Sequence, residues 1–194
     1  MDVIDPTDVR TRILAEATRL FGRKGYSATS VREVVAAAGV TKPTLYYYFE
    51  NKEALFSEAV GAQLDGLRLL IDQALHDTGP VTDRLCAFLD VYVRGGIEHP
   101  ESVRLVMTAT APTDVSQPKV VTIERFRREL SRLDALFEEG VRNGTFRSDM
   151  DTDTAVTMLV GAADVTLMAG LAGLPVHDDF AQRIVKTLLE GLRP

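Results

Sequence analysis

Residues 30–49, SVREVVAAAGVTKPTLYYYF, hold two helix starts and one forced stop, and that order constrains the fold more than any other stretch of the chain. Ser30 and Glu33 have the S-x-x-E spacing of a capping box, in which side chain and backbone satisfy each other at a helix start. Val31, Val34, Val35 and Ala38 then recur at helical spacing, and Gly39 ends the run, since a positive φ carries no steric penalty for glycine. Thr41 is a good N-cap for a second helix. Pro43 falls in that helix's first turn, where its missing N–H breaks no intrahelical bond.

Helix, short turn and second short helix form the helix-turn-helix arrangement, whose second member lies in the major groove of DNA. The tyrosines test that reading. The chain has five, and three stand together as Tyr46, Tyr47 and Tyr48. Consecutive helical residues turn by about 100°, so three of them sweep roughly 200° and cannot share one core. With Leu45 and Phe49 facing inward, Tyr47 points outward, Pro43 and Thr44 lie toward the outer face, and Tyr46 and Tyr48 fall on the flanks. Pro43, Thr44 and Tyr47 are expected at base edges, through thymine methyls and hydroxyl hydrogen bonds. Thr41, Lys42, Tyr46, Tyr48 and Lys52 are expected at the phosphates. Lys52 opens the next helix, whose N-terminal amides also favour an anion.

The net charge of −6 argues at first against a polyanionic partner. It conceals a division. Residues 10–52 carry eight bases (Arg10, Arg12, Arg19, Arg23, Lys24, Arg32, Lys42, Lys52) against three acids (Glu16, Glu33, Glu50), and the remainder is acidic. A basic block joined to an acidic body points to a partner for the block.

The rest of the chain reads helical, with no long period-two alternation that would mark a strand. A first helix is expected from about Asp8 to Lys24, stopped by Gly25. After the two short helices, a long one is expected from Lys52 to His76, and others over 81–98, 101–109, 118–142, 152–172 and 178–192. The breaks EHPE, APTDVSQP, RNGTFRSD and GLPVHD are rich in Pro, Gly and Asx. The fold class is therefore all-α, with about nine helices. A three-helix DNA-binding domain over 1–51 precedes a helical domain over 52–194.

The segment ILAEATRLFGRKGYSATSVREVVAAAGVTKPTLYYYFENKEALF, residues 13–56, closely resembles the N-terminal domain of TetR-family transcriptional regulators. The resemblance rests on the LFGRKGY end of the first helix, the T-S-V start of the second, AGV-T at the turn and LYYYF-x-x-K-E-A-L after it. It departs in two places: a small residue is usual where Val35 stands, and His is frequent where Tyr48 stands. Thr29 and Ser30 join the expected DNA-binding residues.

The resemblance implies a homodimer that binds a double-stranded operator, a C-terminal domain that takes a small-molecule effector, and pairing through the last two long helices. Repression is the prevailing mode of such proteins, with activation by the same fold as the alternative. The sequence supports the pairing independently. Small residues including Gly161 and Ala162 allow close helix approach, and Leu167, Phe180, Ile184 and Leu188 supply an apolar face. Phe88, Tyr92, His99, Arg104, Met107 and Phe126 are the candidate effector contacts.

Other classes fit less well. His76, His99 and His177 lack metal-ligand spacing with each other or with the lone Cys86, and no phosphate loop or nucleophile elbow occurs, so neither a metal, a cofactor nor an enzyme is expected. A helical protein-interaction adaptor is the alternative from another class. The start has no cationic segment followed by an apolar one, so no signal peptide and a cytoplasmic location are expected. Residues 155–175 are long and apolar, but Asp164 at their centre would cost about 2.5–3.5 kcal/mol in a bilayer, so a helix buried against other helices is expected there and no membrane partner.

Overall fold

The computed structural model describes residues 6–110, 116–119 and 123–190, apart from the side chains of residues 6–8, 123, 124 and 126. Every regular element among them is helical: α1 (Pro6–Lys24), α2 (Val31–Ala38), α3 (Lys42–Tyr48), α4 (Lys52–His76), α5 (Val81–Glu98), α6 (Pro100–Thr110), α7 (Ile123–Leu130), α8 (Asp134–Arg142), α9 (Thr152–Leu171) and α10 (Phe180–Glu190). The single helix expected over 118–142 is three pieces, because a 3-10 turn at Ser131–Leu133 joins α7 to α8. That tightening eclipses positions three apart and turns both Leu130 and Leu133 inward, where each is buried. Leu192, expected near the end of the last helix, lies outside the described residues.

The local signals act as their chemistry requires. Ser30 Oγ accepts from the Glu33 amide at 3.2 Å while Glu33 accepts from the Ser30 amide at 2.8 Å, a complete capping box. Gly39 closes α2 at φ 63°, the left-handed region, and its amide and that of Val40 bond back to Ala36 and Val35. Thr41 Oγ1 caps α3 by accepting from the Thr44 amide at 3.3 Å.

The chain divides into two compact units: Met1–Asp65 with Pro100–Phe126, and Gly66–His99 with Arg127–Pro194. This differs from a boundary at residue 52. The first unit needs more than three helices to cover its core: α6 returns against α1, and Leu105 and Ala109 join Ile13, Ala17, Phe21, Leu45, Phe49 and Phe56 in one cluster. Each large side chain fully buried there contributes roughly 1.5–3 kcal/mol. Gly22 permits the approach, since a Cβ at that position would run into the Glu101 backbone.

In the second unit α5 packs on α9 and α10, and α8 packs on α9. Arg84 on α5 is buried, with its guanidinium bonded to the last carbonyls of α4. Length and composition alone would let α9 cross a membrane. Only 33% of its most apolar window is buried, so the helix is less covered than the sequence suggests. Its open flank carries Met158 and Val165, and Asp164 at its centre accepts a hydrogen bond from Tyr92 on α5.

Candidate nucleic-acid interface

The side chains of α3 divide between core and solvent. Leu45 and Phe49 are 0% and 1% exposed, and Tyr47 between them is 82% exposed, which is the orientation that the angular count requires. Tyr46 is exposed and Tyr48 half-buried, with the Tyr48 ring edge-on to Tyr47 at 5.0 Å between centroids. Thr41, Lys42 and Pro43 are exposed at the start of the helix. Thr44 is half-buried, and its hydroxyl lies 2.8 Å from that of Thr41. A short helix thus presents one phenol at its crest, two beside it, and a cation and a hydroxyl at its base.

The base is rigid for identifiable reasons. Arg12 donates through Nε to the Ala38 carbonyl at 2.8 Å and so ties α1 to the last residue of α2. Arg10 lies over the Phe49 ring at 5.3 Å and pairs with Glu58. Lys24 pairs with Glu33, and that hydrogen bond, followed by those from Ser30, holds the Glu33 carboxyl down to about 2. Arg19 pairs with Glu16 at 2.7 Å. Several of the eight bases therefore bind the domain together, while Arg32 and Lys42 are exposed on α2 and α3.

Two expected contacts change character. Thr29 is only 1% exposed, and its hydroxyl donates toward the Leu20 and Gly25 carbonyls at 3.2 and 2.8 Å. It fixes the turn between α1 and α2 rather than offering a group to DNA. The Ser30 hydroxyl remains at the surface but is engaged with Glu33 at 2.9 Å. Lys52 opens α4 as expected, with its ammonium 4.2 Å from the centre of the Tyr26 ring.

The sequence reading missed Asn51 and Tyr26. Asn51 Oδ1 accepts from the Ala54 amide at 2.8 Å and caps α4. The Asx residue just before a helix start was a legible signal for it. No spacing rule would have paired Tyr26 with a lysine so far along the chain.

The effector candidates separate. Phe88 is a core residue, 3% exposed, and stacks on half-buried Tyr92 at 5.7 Å. Burial first, then the neighbouring Asp164 charge, pushes the Tyr92 phenol up; burial pushes Asp164 up as well, against the hydrogen bond from Tyr92. His99 is exposed after the end of α5, and Arg104 and Met107 are exposed on α6. The side chain of Phe126 lies outside the described residues.

The pairing candidates separate too. Leu167 is buried within the second unit, 2% exposed, and is a core residue rather than a surface one. Phe180 and Leu188 are mostly buried but line the floor of an open groove of about 680 Å³, together with Ala162 and Ile184. Met158 and Val165 form one wall of it, and His177 and Arg183 also border it. Gly161 is exposed on α9 outside the groove.

A solvent-facing helix held on a cross-braced three-helix base defines a helix-turn-helix DNA-binding protein. Residues 13–59 match the family model described as bacterial regulatory proteins, tetR family. A relative in Rhodococcus jostii strain RHA1, the HTH-type transcriptional repressor KstR2, is 30% identical, with 94% of this chain and 90% of that protein covered. The crystal structure of PfmR, a TetR family transcriptional regulator from Thermus thermophilus, superposes with a TM-score of 0.73 at 28% identity, covering 94% of this chain and 100% of PfmR. FadR from Bacillus subtilis, solved in complex with stearoyl-CoA, shares the fold at 17% identity, with a TM-score of 0.73 over 94% of this chain and 99% of FadR. The chain belongs to the TetR family of DNA-binding transcriptional regulators.

Proposed function

We propose that this regulator is a cytoplasmic repressor that occupies an inverted-repeat operator as a homodimer and leaves it when a small molecule binds. The observation that carries the reading is Tyr47, almost fully exposed at the crest of a helix whose opposite side is core. In this reading Pro43, Thr44 and Tyr47 meet base edges, while Thr41, Lys42, Tyr46, Tyr48 and Lys52 meet phosphates. The DNA-binding role belongs to residues 1–51 together with Lys52 at the start of α4, and the effector and pairing roles to the rest of 52–194.

Homodimerisation is supported by the open α9–α10 groove, where Phe180, Ile184 and Leu188 line apolar surface beside exposed Val165. Two reading heads also supply the length of site that useful specificity requires. Tyr92 is the effector candidate with the clearest chemistry, its ring stacked on Phe88 and its hydroxyl bonded to Asp164. Because FadR was solved with stearoyl-CoA, long-chain acyl thioesters are the first effectors to try.

The test is selection of bound duplexes from fragmented genomic DNA by purified protein, with the protein's mass in solution measured in parallel. An enriched inverted repeat, bound by a dimer and released by an added compound, is expected. Enrichment of no sequence, or a monomer at working concentration, would overturn the proposal. If the same complex instead increased transcription of the adjoining gene in a reconstituted assay, the activator alternative would hold.

A further inference from the structure

We infer that Tyr26 is a positioning residue for DNA binding, and that its ring holds the Lys52 ammonium at the start of α4 ready for a phosphate. The inference rests on the assignment of Lys52 to the DNA backbone made above. Lys52 Nζ lies 4.2 Å from the Tyr26 ring centroid, well inside the range in which a ring face attracts an ammonium.

The ring is itself fixed. Phe56 meets it edge-on at 5.1 Å, Phe21 stacks at 5.9 Å, and Phe21 and Phe56 make a perpendicular contact at 5.1 Å. Phe21 and Phe56 are each 1% exposed, so the platform belongs to the core of the first unit. Phe56 is four residues after Lys52, so both project from the same face of α4. Tyr26 spans that face.

A lysine is a compact charge on a flexible stem, and much of its rotamer freedom is lost on forming a contact. Loss of that freedom before DNA arrives makes the contact stronger at no change in its own geometry. Lys52 is half-exposed at the start of α4. Ring and ammonium together form a phosphate seat whose floor is aromatic.

The test is equilibrium binding of the full chain to a labelled duplex of mixed sequence over a range of salt concentrations, a probe suited to a contact that reads no bases. Tyr26→Phe keeps the ring face and is expected to bind like the wild type. Tyr26→Leu is expected to lose affinity about two- to fivefold and to flatten the salt dependence. In a Lys52→Ala background the same change is expected to add nothing. Should Tyr26→Leu fail to fold, phenylalanines of increasing fluorination at position 26 keep the shape and weaken the ring face. A graded loss of affinity with Lys52 present, and none with Lys52→Ala, is then expected. Equal losses in both backgrounds, or a flat fluorine series, would overturn the inference and leave Tyr26 as core filling. A Lys52→Ala variant that binds as the wild type does would remove the phosphate contact and this inference with it. Failure of the wild type to hold any duplex in dilute salt would instead count against the proposed function.

Discussion

Arg84 on α5 and Glu139 on α8 face each other through Arg84 Nη1, with both carboxylate oxygens at 2.8 Å, yet the two partners are unequally placed. The arginine side chain is 4% exposed and the glutamate 40%. Arg84 Nε and Nη2 also donate to the Ala74 and Leu75 carbonyls at 2.9 and 2.7 Å, so one buried guanidinium closes the C-terminal end of α4 and ties α5 and α8 to it. Removing the arginine leaves two helix-end carbonyls unpaired beneath the surface, whereas removing the glutamate lets water reach the arginine's rim. Arg84→Met is expected to lower stability by about 2–4 kcal/mol and Glu139→Gln by less than about 1 kcal/mol, measured by urea unfolding. Equal losses from the two changes would contradict this ordering.

Tyr92 and Asp164 predict a pH dependence. Burial raises the Asp164 carboxyl above its ordinary value, which means that the folded chain prefers the protonated form. The stability associated with that preference is full below about pH 3.8 and is lost as pH rises through the folded value. Asp164→Asn keeps an oxygen to accept from Tyr92 and removes the charge. Its melting temperature relative to wild type is therefore expected to be highest at neutral pH, with the gap closing under acid. Tyr92→Phe is expected to cost about 1 kcal/mol at pH 7, since it leaves the carboxylate without its donor. Thermal melts of the three proteins from pH 3 to pH 7 decide it: parallel pH profiles for wild type and Asp164→Asn would rule the account out.

At the proposed DNA face, exposure separates two kinds of expected contact. Tyr47 at the crest of α3 faces outward, so Tyr47→Ala is expected to change which bases are preferred at the operator. Lys52→Ala removes a charge instead of a reader. It is expected to weaken binding about equally on all sequences and to flatten the slope of log affinity against log salt by about one. Duplex selection with each variant and salt titrations on one duplex separate these outcomes. An unchanged base preference for Tyr47→Ala would place some other element against the bases.

What was legible beforehand was what local chemistry determines. Ser30, Gly39 and Thr41 announced their helix boundaries because capping satisfies backbone groups within a few residues. The outward direction of Tyr47 followed from helix pitch and two inward neighbours. What depended on distant partners stayed hidden. Thr29 looked like a surface hydroxyl, but the turn at Gly25 brings two carbonyls to it. Nothing in the sequence marked Arg84 as buried, because its partners are the end of α4 and a glutamate 55 residues away. The break at Ser131–Leu133 was illegible because a 3-10 turn barely disturbs the helical period. The first unit's boundary also went unread, since the return of α6 to α1 depends on a glycine with no side chain to signal it.

That glycine gives a matched pair of helix substitutions with opposite signs. Alanine is favoured over glycine inside a helix by about 1 kcal/mol, so Gly→Ala in a helix should stabilise wherever there is room. At Gly61 on α4 a Cβ meets nothing within 4 Å, and Gly61→Ala is expected to raise stability by up to about 1 kcal/mol. At Gly22 the same Cβ would lie 2.8 and 2.9 Å from the Glu101 carbonyl carbon and Cα, closer than real Cβ atoms come. The obstacle is backbone, so no side chain can swing aside, and α6 must shift away from α1. Gly22→Ala is expected to destabilise by about 1–3 kcal/mol despite the better helix former. Urea midpoints for both variants give the comparison. A Gly22→Ala protein at least as stable as Gly61→Ala would show that α1 and α6 do not meet as closely as described.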